Sequence, residues 1–144
     1  MTGELIEERL QGRMNRQKVL RHDSPPQPRV WALLDEMMLR RGVGGAKVMA
    51  TQIQRLIDVA DSPGVTIQVI NEAAHCGMSG AFIIAELPSR KVAYLETIGD
   101  GMTAEEVCAV RDIELKFDTL TVEALRASES LALMERIRDE WTQS

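Results

Sequence analysis

The sequence predicts an α+β fold in which a mostly antiparallel sheet of about four strands is covered by helices. Three observations carry this prediction. Apolar residues recur at three- and four-residue spacing near both ends of the chain, short β-branched or alternating runs lie in the middle, and prolines or glycines separate the segments. We therefore expect the element order α-β-α-β-β-β-α-α.

Length and composition indicate a single globular domain. The chain has 144 residues, of which 44% are hydrophobic and 27% charged. This is enough to build one ordinary core. We expect an N-terminal helix or arm over residues 1–22 and one α+β domain over residues 23–144. No apolar run approaches the roughly 18 residues of a membrane-spanning helix. The expected location is the cytoplasm, away from the membrane.

Charge and cysteine content exclude several functional classes. The net charge of −5 and the aromatic content of 3% are unlike a nucleic-acid-binding surface, which needs clustered cations or stacking rings. The two cysteines, Cys76 and Cys108, and the two histidines have no metal-ligand spacing. We predict no direct nucleic-acid contact, no metal and no cofactor.

The N-terminal part of the chain predicts a helix followed by a strand. Ile6, Leu10 and Met14 have helical spacing within residues 4–20, and the prolines of HDSPPQP predict an extended connector after it. Residues 30–39 alternate as in a strand. One predicted face of that strand carries Val30, Ala32, Leu34, Glu36, Met38 and Arg40.

The middle of the chain predicts a second helix and three more strands. AKVMATQIQRLIDVADSPG has a helical apolar stripe and ends at a Pro-Gly stop, and VTIQVI is β-branched. AFIIAELPSRKVAYLET predicts a hairpin with its turn over residues 88–91. With the turn centred there, Ile83 faces Glu96 and Ala85 faces Tyr94.

The C-terminal third predicts two helices. Thr103 and Glu106 form the pattern of a capping box, and Ser128 is the expected N-cap of the last helix. The predicted inner stripes comprise Val107, Val110, Ile113, Phe117, Leu120 and Ala124 in the first helix, and Leu131, Met134, Ile137 and Trp141 in the second. Cys108 is expected to pack inside the first of these helices.

A charged pair on the first strand is the main candidate for a functional site. Glu36 and Arg40 fall on a face that should be apolar, so they either form a structural ion pair or line a pocket together with the hairpin face. Burial would raise the pKa of a carboxylate and suit it to acid-base chemistry. The candidate catalytic residues are therefore Glu36, Glu96 and Tyr94. The predicted ligand-binding residues are Leu34, Glu36, Met38, Arg40, His75, Cys76, Met78, Phe82, Ile83, Tyr94 and Glu96.

The loop that contains His75 and Cys76 has three interpretations. It is an ordinary loop, a lid that contacts a ligand, or a nucleophilic site. Adjacent side chains of an extended segment point apart, so His75 is poorly placed to act as the base for Cys76. Gly77 and Gly80 suit a mobile loop.

Several segments, in their order along the chain, resemble a known family. RQKVL, PPQPRVWALLDEMMLRRGVGG, VMATQIQRLIDVADSPGVTIQVI, AHCGMSGAF and VAYLET resemble the uncharacterised C-terminal domain that follows a helix-turn-helix module in many actinomycete XRE-type transcription regulators. The resemblance implies a sensing or partner-binding role, with DNA held by the other half of such regulators. No helix-turn-helix precedes these segments here, so we do not expect this chain to act directly on DNA.

The sequence leaves three functional hypotheses. The first is a stand-alone regulatory domain that binds a small molecule or a partner protein and forms a homodimer. The second is a cofactor-independent cyclase, isomerase or lyase that uses a pocket carboxylate. The third is a degenerate fragment without a ligand, which the intact apolar periodicity disfavours.

Overall fold

The computed structural model describes residues 3–17, 28–71, 80–96 and 101–144. The described residues form both helices and strands, which confirms a mixed helix-and-strand fold. The strands of the described residues form two small sheets, so the predicted single sheet of about four strands is not observed. In chain order the elements are α1 (Gly3–Gln17), β1 (Val30–Asp35), α2 (Glu36–Arg40), α3 (Ala46–Ala60), β2 (Val65–Ile70), β3 (Phe82–Glu86), β4 (Lys91–Leu95), β5 (Met102–Ala104), α4 (Val107–Glu123) and α5 (Ala127–Thr142).

The first sheet is a parallel pair formed by β1 and β2. Val30 aligns with Val65 and Asp35 with Ile70. Parallel neighbours need a long crossover, and α2 and α3 supply it. The inner face of this sheet packs on α3 and α5. The buried core here consists of Leu39, Ile53, Ile57, Ile67, Val69, Leu133, Met134 and Ile137.

The edge of β2 away from β1 is covered by the connection between α4 and α5. The backbone N–H of Val69 donates to Ser130 Oγ at 2.9 Å, and the N–H of Leu125 donates to the Val69 carbonyl at 2.9 Å. Gln68 Nε2 donates to the Leu125 carbonyl at 2.8 Å. These contacts satisfy backbone groups that an uncovered edge strand would leave unpaired.

The second sheet is antiparallel, in the order β3-β4-β5. One face packs against α4, where Ala93, Val110 and Ile113 form a second buried cluster. Phe82, Ile84, Leu95 and Ala104 pack around this cluster. The other face carries Ile83 and Tyr94, which are opposite each other in the ladder.

The hairpin register differs from the predicted one. Leu87 and Arg90 are joined by reciprocal backbone hydrogen bonds, so the turn is centred on Pro88 and Ser89, earlier than expected. As a result Ile83 pairs with Tyr94 rather than with Glu96. A change of two residues in register keeps every side chain on its predicted face.

The predicted helix starts are also wrong. Thr103 lies in β5, and α4 begins at Val107 without a side-chain cap. The last helix begins at Ala127, ahead of Ser128, and the Glu129 carboxylate accepts a hydrogen bond from the Arg126 N–H at 3.0 Å. The helix stripes are otherwise as predicted, except that Val107 is exposed to solvent.

Helix α4 contacts both sheets through Phe117. Its ring makes an edge-to-face contact with Trp31 of β1, at a centroid distance of 6.0 Å, and another with Phe82 of β3, at 6.4 Å. Trp31 Nε1 also donates to Gln68 Oε1 at 2.7 Å. Phe117 therefore links the two sheets.

Helix α1 confirms the N-terminal helix over residues 3–17. Ile6, Leu10 and Met14 are each about half exposed along one stripe of it. The predicted continuation to residue 20 lies outside the described residues. Within the ranges that the structure describes, no helix is long and apolar enough to cross a membrane.

Candidate functional site

The charged pair of the predicted first strand lies on a helical turn instead. β1 ends at Asp35, whose carboxylate accepts a hydrogen bond from the Met37 N–H at 2.8 Å and so caps α2. Glu36 follows in the first turn and Arg40 in the last, an order that suits the helix dipole. The predicted strand over residues 30–39 is therefore too long, and Asp35 followed by Glu36 was the sequence signal for its end.

Arg40 is held between two carboxylates. Its Nε lies 2.7 Å from Glu36 Oε1, and its Nη1 lies 2.7 Å from Glu140 Oε2 on α5. The side chain of Glu36 is only 16% exposed and that of Arg40 38%. The hydrogen bonds to Glu36 and then Glu140 raise the pKa of the Arg40 guanidinium above its usual range. The structural ion pair considered in the sequence analysis is thus present, with a third member.

Trp141 also joins α5 to α2. Its indole Nε1 donates to the Leu39 carbonyl at 2.9 Å, and its ring lies so close to Gly42 that a Cβ there would be 3.3 Å from Cη2. Leu39 itself is buried in the first core. We call Glu36, Arg40, Glu140 and Trp141 the α2–α5 clasp.

The groove beside this clasp is small. It has a volume of about 160 Å³ and is lined by Arg40, Ile137, Glu140, Trp141 and Ser144. Small-molecule pockets usually enclose about 300–1,000 Å³. A second groove, of about 380 Å³, lies between α3 and α5 and is open to solvent. One of its lining side chains, Arg138, donates to Gln54 Oε1 at 2.6 Å.

The apolar neighbours proposed for the pocket point elsewhere. Leu34 packs against the first core and Phe82 against the second. Met38 is exposed on α2. His75, Cys76 and Met78 lie outside the described residues, so the loop hypotheses stay predictions.

The remaining predicted residues belong to the outer face of the second sheet. Ile83 is 63% exposed and Tyr94 42% exposed. Glu96 follows the end of β4, is exposed, and donates its backbone N–H to the Ala81 carbonyl at 2.9 Å. We call the surface formed by Ile83, Ala85, Val92, Tyr94 and Thr103 the open sheet face.

Tyr94 lies across a glycine on this face. Thr103 of β5 is its partner in the ladder, and Gly101 is two residues earlier on the same side. A Cβ on Gly101 would overlap the hydroxyl end of the Tyr94 ring. Gly101 therefore allows the aromatic ring to lie flat along the edge of the sheet.

The structure brings the predicted site residues together as two separate groups. Glu36 and Arg40 belong to the α2–α5 clasp, while Ile83 and Tyr94 belong to the open sheet face. Sequence reasoning missed Glu140 because its contact with Arg40 spans 100 positions. It also placed Cys108 in the core, whereas Cys108 is exposed on α4.

In the part of the chain that the structure describes, no group of three or more His, Cys, Asp or Glu side chains could hold a metal ion.

Comparison with known proteins gives the family but no activity. No curated protein and no solved structure matches the chain. The family model "Domain of unknown function (DUF5753)" matches residues 1–136. Since this match covers nearly the whole sequence, the chain belongs to the DUF5753 family.

Proposed function

We propose that this chain is a regulatory domain that binds a partner protein, and that an amphipathic helix of the partner packs on the open sheet face. The observation that carries this proposal is the exposure of Ile83 and Tyr94 side by side on a sheet. Exposed apolar residues that adjoin one another mark interaction surfaces more often than isolated ones do.

The opposite face of the same sheet indicates what kind of structure fits. On that opposite face, Val110 and Ile113 of α4 pack against Ala93, and apolar side chains from all three strands surround this cluster. An antiparallel sheet commonly leaves one face to solvent and carries polar residues there, whereas the open sheet face here carries Ile83, Ala85, Val92 and Tyr94. A second amphipathic helix on the open sheet face would cover these side chains, in the helix-docking mode that many regulatory proteins use.

The chemistry of the open sheet face also suits a protein partner. Tyr94 presents a rigid aromatic ring with a hydroxyl group, the kind of residue that dominates protein interfaces. Ala85 and Val92 add a half-buried apolar floor between Ile83 and the hairpin turn. Because Ile83 and Tyr94 are so exposed, the face offers little of the enclosure that a small molecule needs, which favours a helix.

The α2–α5 clasp is less suited to a ligand. Two of the three guanidinium nitrogens of Arg40, Nε and Nη1, already donate to carboxylates, at 2.7 Å each. An anion that approached the remaining N–H groups would lie beside two negative charges, which disfavour its binding. The same argument weighs against the alternative of a cyclase, isomerase or lyase built on Glu36, because its carboxylate is engaged by Arg40.

The resemblance to C-terminal domains of XRE-type regulators supports the biological setting. It favours a role in transcription regulation in the cytoplasm, in which a partner supplies contact with DNA. The net negative charge of this chain agrees with a role in which the partner, and not this chain, contacts DNA.

Photo-crosslinking at the open sheet face tests the proposal. A photoreactive phenylalanine replaces Tyr94 in one sample and Glu135, an exposed residue of α5, in the control. We expect a protein crosslinked at position 94 but not at 135. The crosslinked peptide should carry apolar residues at helical spacing. A small-molecule adduct at position 94, or a crosslinked peptide without such spacing, would overturn the proposal.

Affinity measurements on the identified partner complete the test. Ile83→Asp should weaken binding by about tenfold or more, because it buries a charge against an apolar helix. Val48→Asp is the matched control, since Val48 is comparably exposed on α3. Equal affinity for the wild type and Ile83→Asp would show that the partner binds elsewhere.

A further inference from the structure

We propose that the chain forms a two-fold symmetric dimer in which α4 packs antiparallel against α4 of a second copy, with Leu115 next to the two-fold axis. This interface uses the outer side of α4 and does not depend on the open sheet face.

The outer side of α4 carries an exposed apolar stripe. Val107 is 82% exposed, Leu115 57% and Val122 85%. Cys108 and Leu115 are seven residues apart, as are Leu115 and Val122, so these three recur at the heptad spacing of helix pairs. At 3.6 residues per turn the stripe spans about 100° of the helix surface. It lies opposite Val110, Ile113, Phe117 and Leu120, which face the two cores.

The stripe is self-complementary about its centre. Leu115 lies near the middle of α4, with Cys108 seven residues before it and Val122 seven residues after it. In an antiparallel pair centred on Leu115, Leu115 meets its own copy, and Val122 meets Cys108 and Val107 of the second chain. An isologous dimer interface requires this kind of symmetry, in which one patch fits itself.

The charges on the stripe select the antiparallel arrangement. Arg111 lies four residues before Leu115, and Asp118 three residues after it, and both are exposed. Antiparallel pairing sets each Arg111 against an Asp118 of the other copy, which gives two ion pairs. Parallel pairing would instead set like charges against each other, which is unfavourable. Neither residue forms an ion pair among the described residues.

The expected dimer is weak. A helix of 17 residues is about 25 Å long. A single helix pair of that length buries less than the roughly 1,600 Å² of a standard interface. We therefore expect dissociation constants on the order of 1–100 µM.

Disulfide trapping tests the geometry. The background variant Cys76→Ser keeps only Cys108, and Val122→Cys is added to it. Positions 108 and 122 of one chain are about 21 Å apart along the helix, too far for a disulfide within the chain. Oxidation should therefore give covalent dimers joined through residues 108 and 122. Cys76→Ser alone should stay monomeric, because the two Cys108 residues lie at opposite ends of the antiparallel pair.

Charge reversal tests the same interface without a covalent bond. By sedimentation velocity, Arg111→Asp should reduce the dimer fraction at least several-fold, and Arg111→Asp combined with Asp118→Arg should restore it. Circular dichroism checks that all variants are folded. A wild type that is monomeric at about 200 µM, a covalent dimer from Cys76→Ser alone, or no rescue by the double variant would overturn the proposal.

Discussion

The guanidinium of Arg40 lies 2.7 Å from the carboxylate of Glu140, although the two residues are 100 positions apart in the chain. This contact and the indole hydrogen bond of Trp141 join the short helix after β1 to the last helix of the domain. The charges that looked misplaced in the first strand are therefore part of a tertiary contact that closes the first core.

Removing the central cation of the α2–α5 clasp should lower stability modestly. Arg40→Met breaks both ion pairs and leaves the half-buried Glu36 without its cation, so we expect a loss of about 1 kcal/mol in the free energy of unfolding. Glu140→Gln should cost less, since Glu140 is the more exposed partner. Urea unfolding followed by circular dichroism measures both.

The matched control for the clasp is Glu135→Gln, which changes an exposed carboxylate of the same helix. It should leave the free energy of unfolding unchanged. A loss for Glu135→Gln equal to that of Glu140→Gln, which removes the same charge from the same helix, would mean that net charge, and not the clasp, sets the effect of Glu140→Gln.

Ser130 is expected to contribute more than the whole clasp. It is completely buried, accepts a hydrogen bond from the Val69 N–H at 2.9 Å and donates to the Leu125 carbonyl at 3.3 Å. Ser130→Ala leaves a buried backbone donor on β2 unpaired, which should cost about 1–3 kcal/mol. Ser128→Ala, at an exposed position of the same helix, is the control and should be near neutral.

Local patterns in the sequence predicted the helices well because each has a one-sided apolar stripe. Val110, Ile113 and Leu120 are buried on α4 as expected, and Leu133, Met134 and Ile137 are buried on α5. Strand pairing was harder to predict. β1 and β2 are parallel because two helices connect them, and that connection length was a signal for parallel pairing.

The candidate site could be predicted only in part. The Glu36–Arg40 contact joins residues only four positions apart, so the sequence was enough to predict this ion pair. The third member, Glu140, depends on how α5 packs, and no local pattern encodes that. Likewise Ile83 and Tyr94 were correctly expected on one face, but which face α4 would cover depended on the packing of a helix that follows in the chain.

The contact between Tyr94 and Gly101 gives a prediction about the open sheet face. Gly101→Ala should push the Tyr94 ring away from the edge of β5, because the new methyl group takes the space of the ring hydroxyl. The ring is exposed and can move, so the cost in stability should be below about 1 kcal/mol. Tyr94 is the only tyrosine, so its ring signals in a proton NMR spectrum report the change directly.

Gly45→Ala is not a suitable control for that experiment because Gly45 has a positive φ of 91°. Gly42→Ala serves instead, since its new methyl group would contact the Trp141 ring and not Tyr94, so the Tyr94 ring signals should stay unchanged. Unchanged Tyr94 ring signals in Gly101→Ala would contradict the close approach of ring and glycine.

Lys91 should make stability dependent on alkaline pH. Its Nζ lies 2.7 Å from Glu114 Oε1, and this hydrogen bond raises the pKa of Lys91 above its ordinary value of 10.5. Because the pKa of Lys91 is higher in the folded than in the unfolded state, the stabilisation from its ion pair is complete below about pH 10.5. This stabilisation is lost as the pH rises through the folded-state pKa. The difference in free energy of unfolding between the wild type and Lys91→Gln should therefore be constant below about pH 10.5 and shrink as the pH rises above it. In a Glu114→Gln background, which lacks the carboxylate that pairs with Lys91, Lys91→Gln should show a much smaller change.

Phe117 should couple the two sheets, because its ring contacts Trp31 in the first sheet and Phe82 in the second. Phe117→Ala removes both contacts and leaves a cavity, so we expect a loss of about 2–4 kcal/mol in the free energy of unfolding. Phe117→Leu keeps much of the volume but not the edge-to-face geometry, and should lose about 1 kcal/mol. The near-ultraviolet circular dichroism of the tryptophans should weaken in both variants. If the two sheets are coupled through this ring, urea unfolding of Phe117→Ala should separate into two transitions, one reported by the two tryptophans, Trp31 and Trp141, and one by Tyr94 of the hairpin. A single transition at the wild-type midpoint would show that other contacts hold the sheets together and that the ring contributes little.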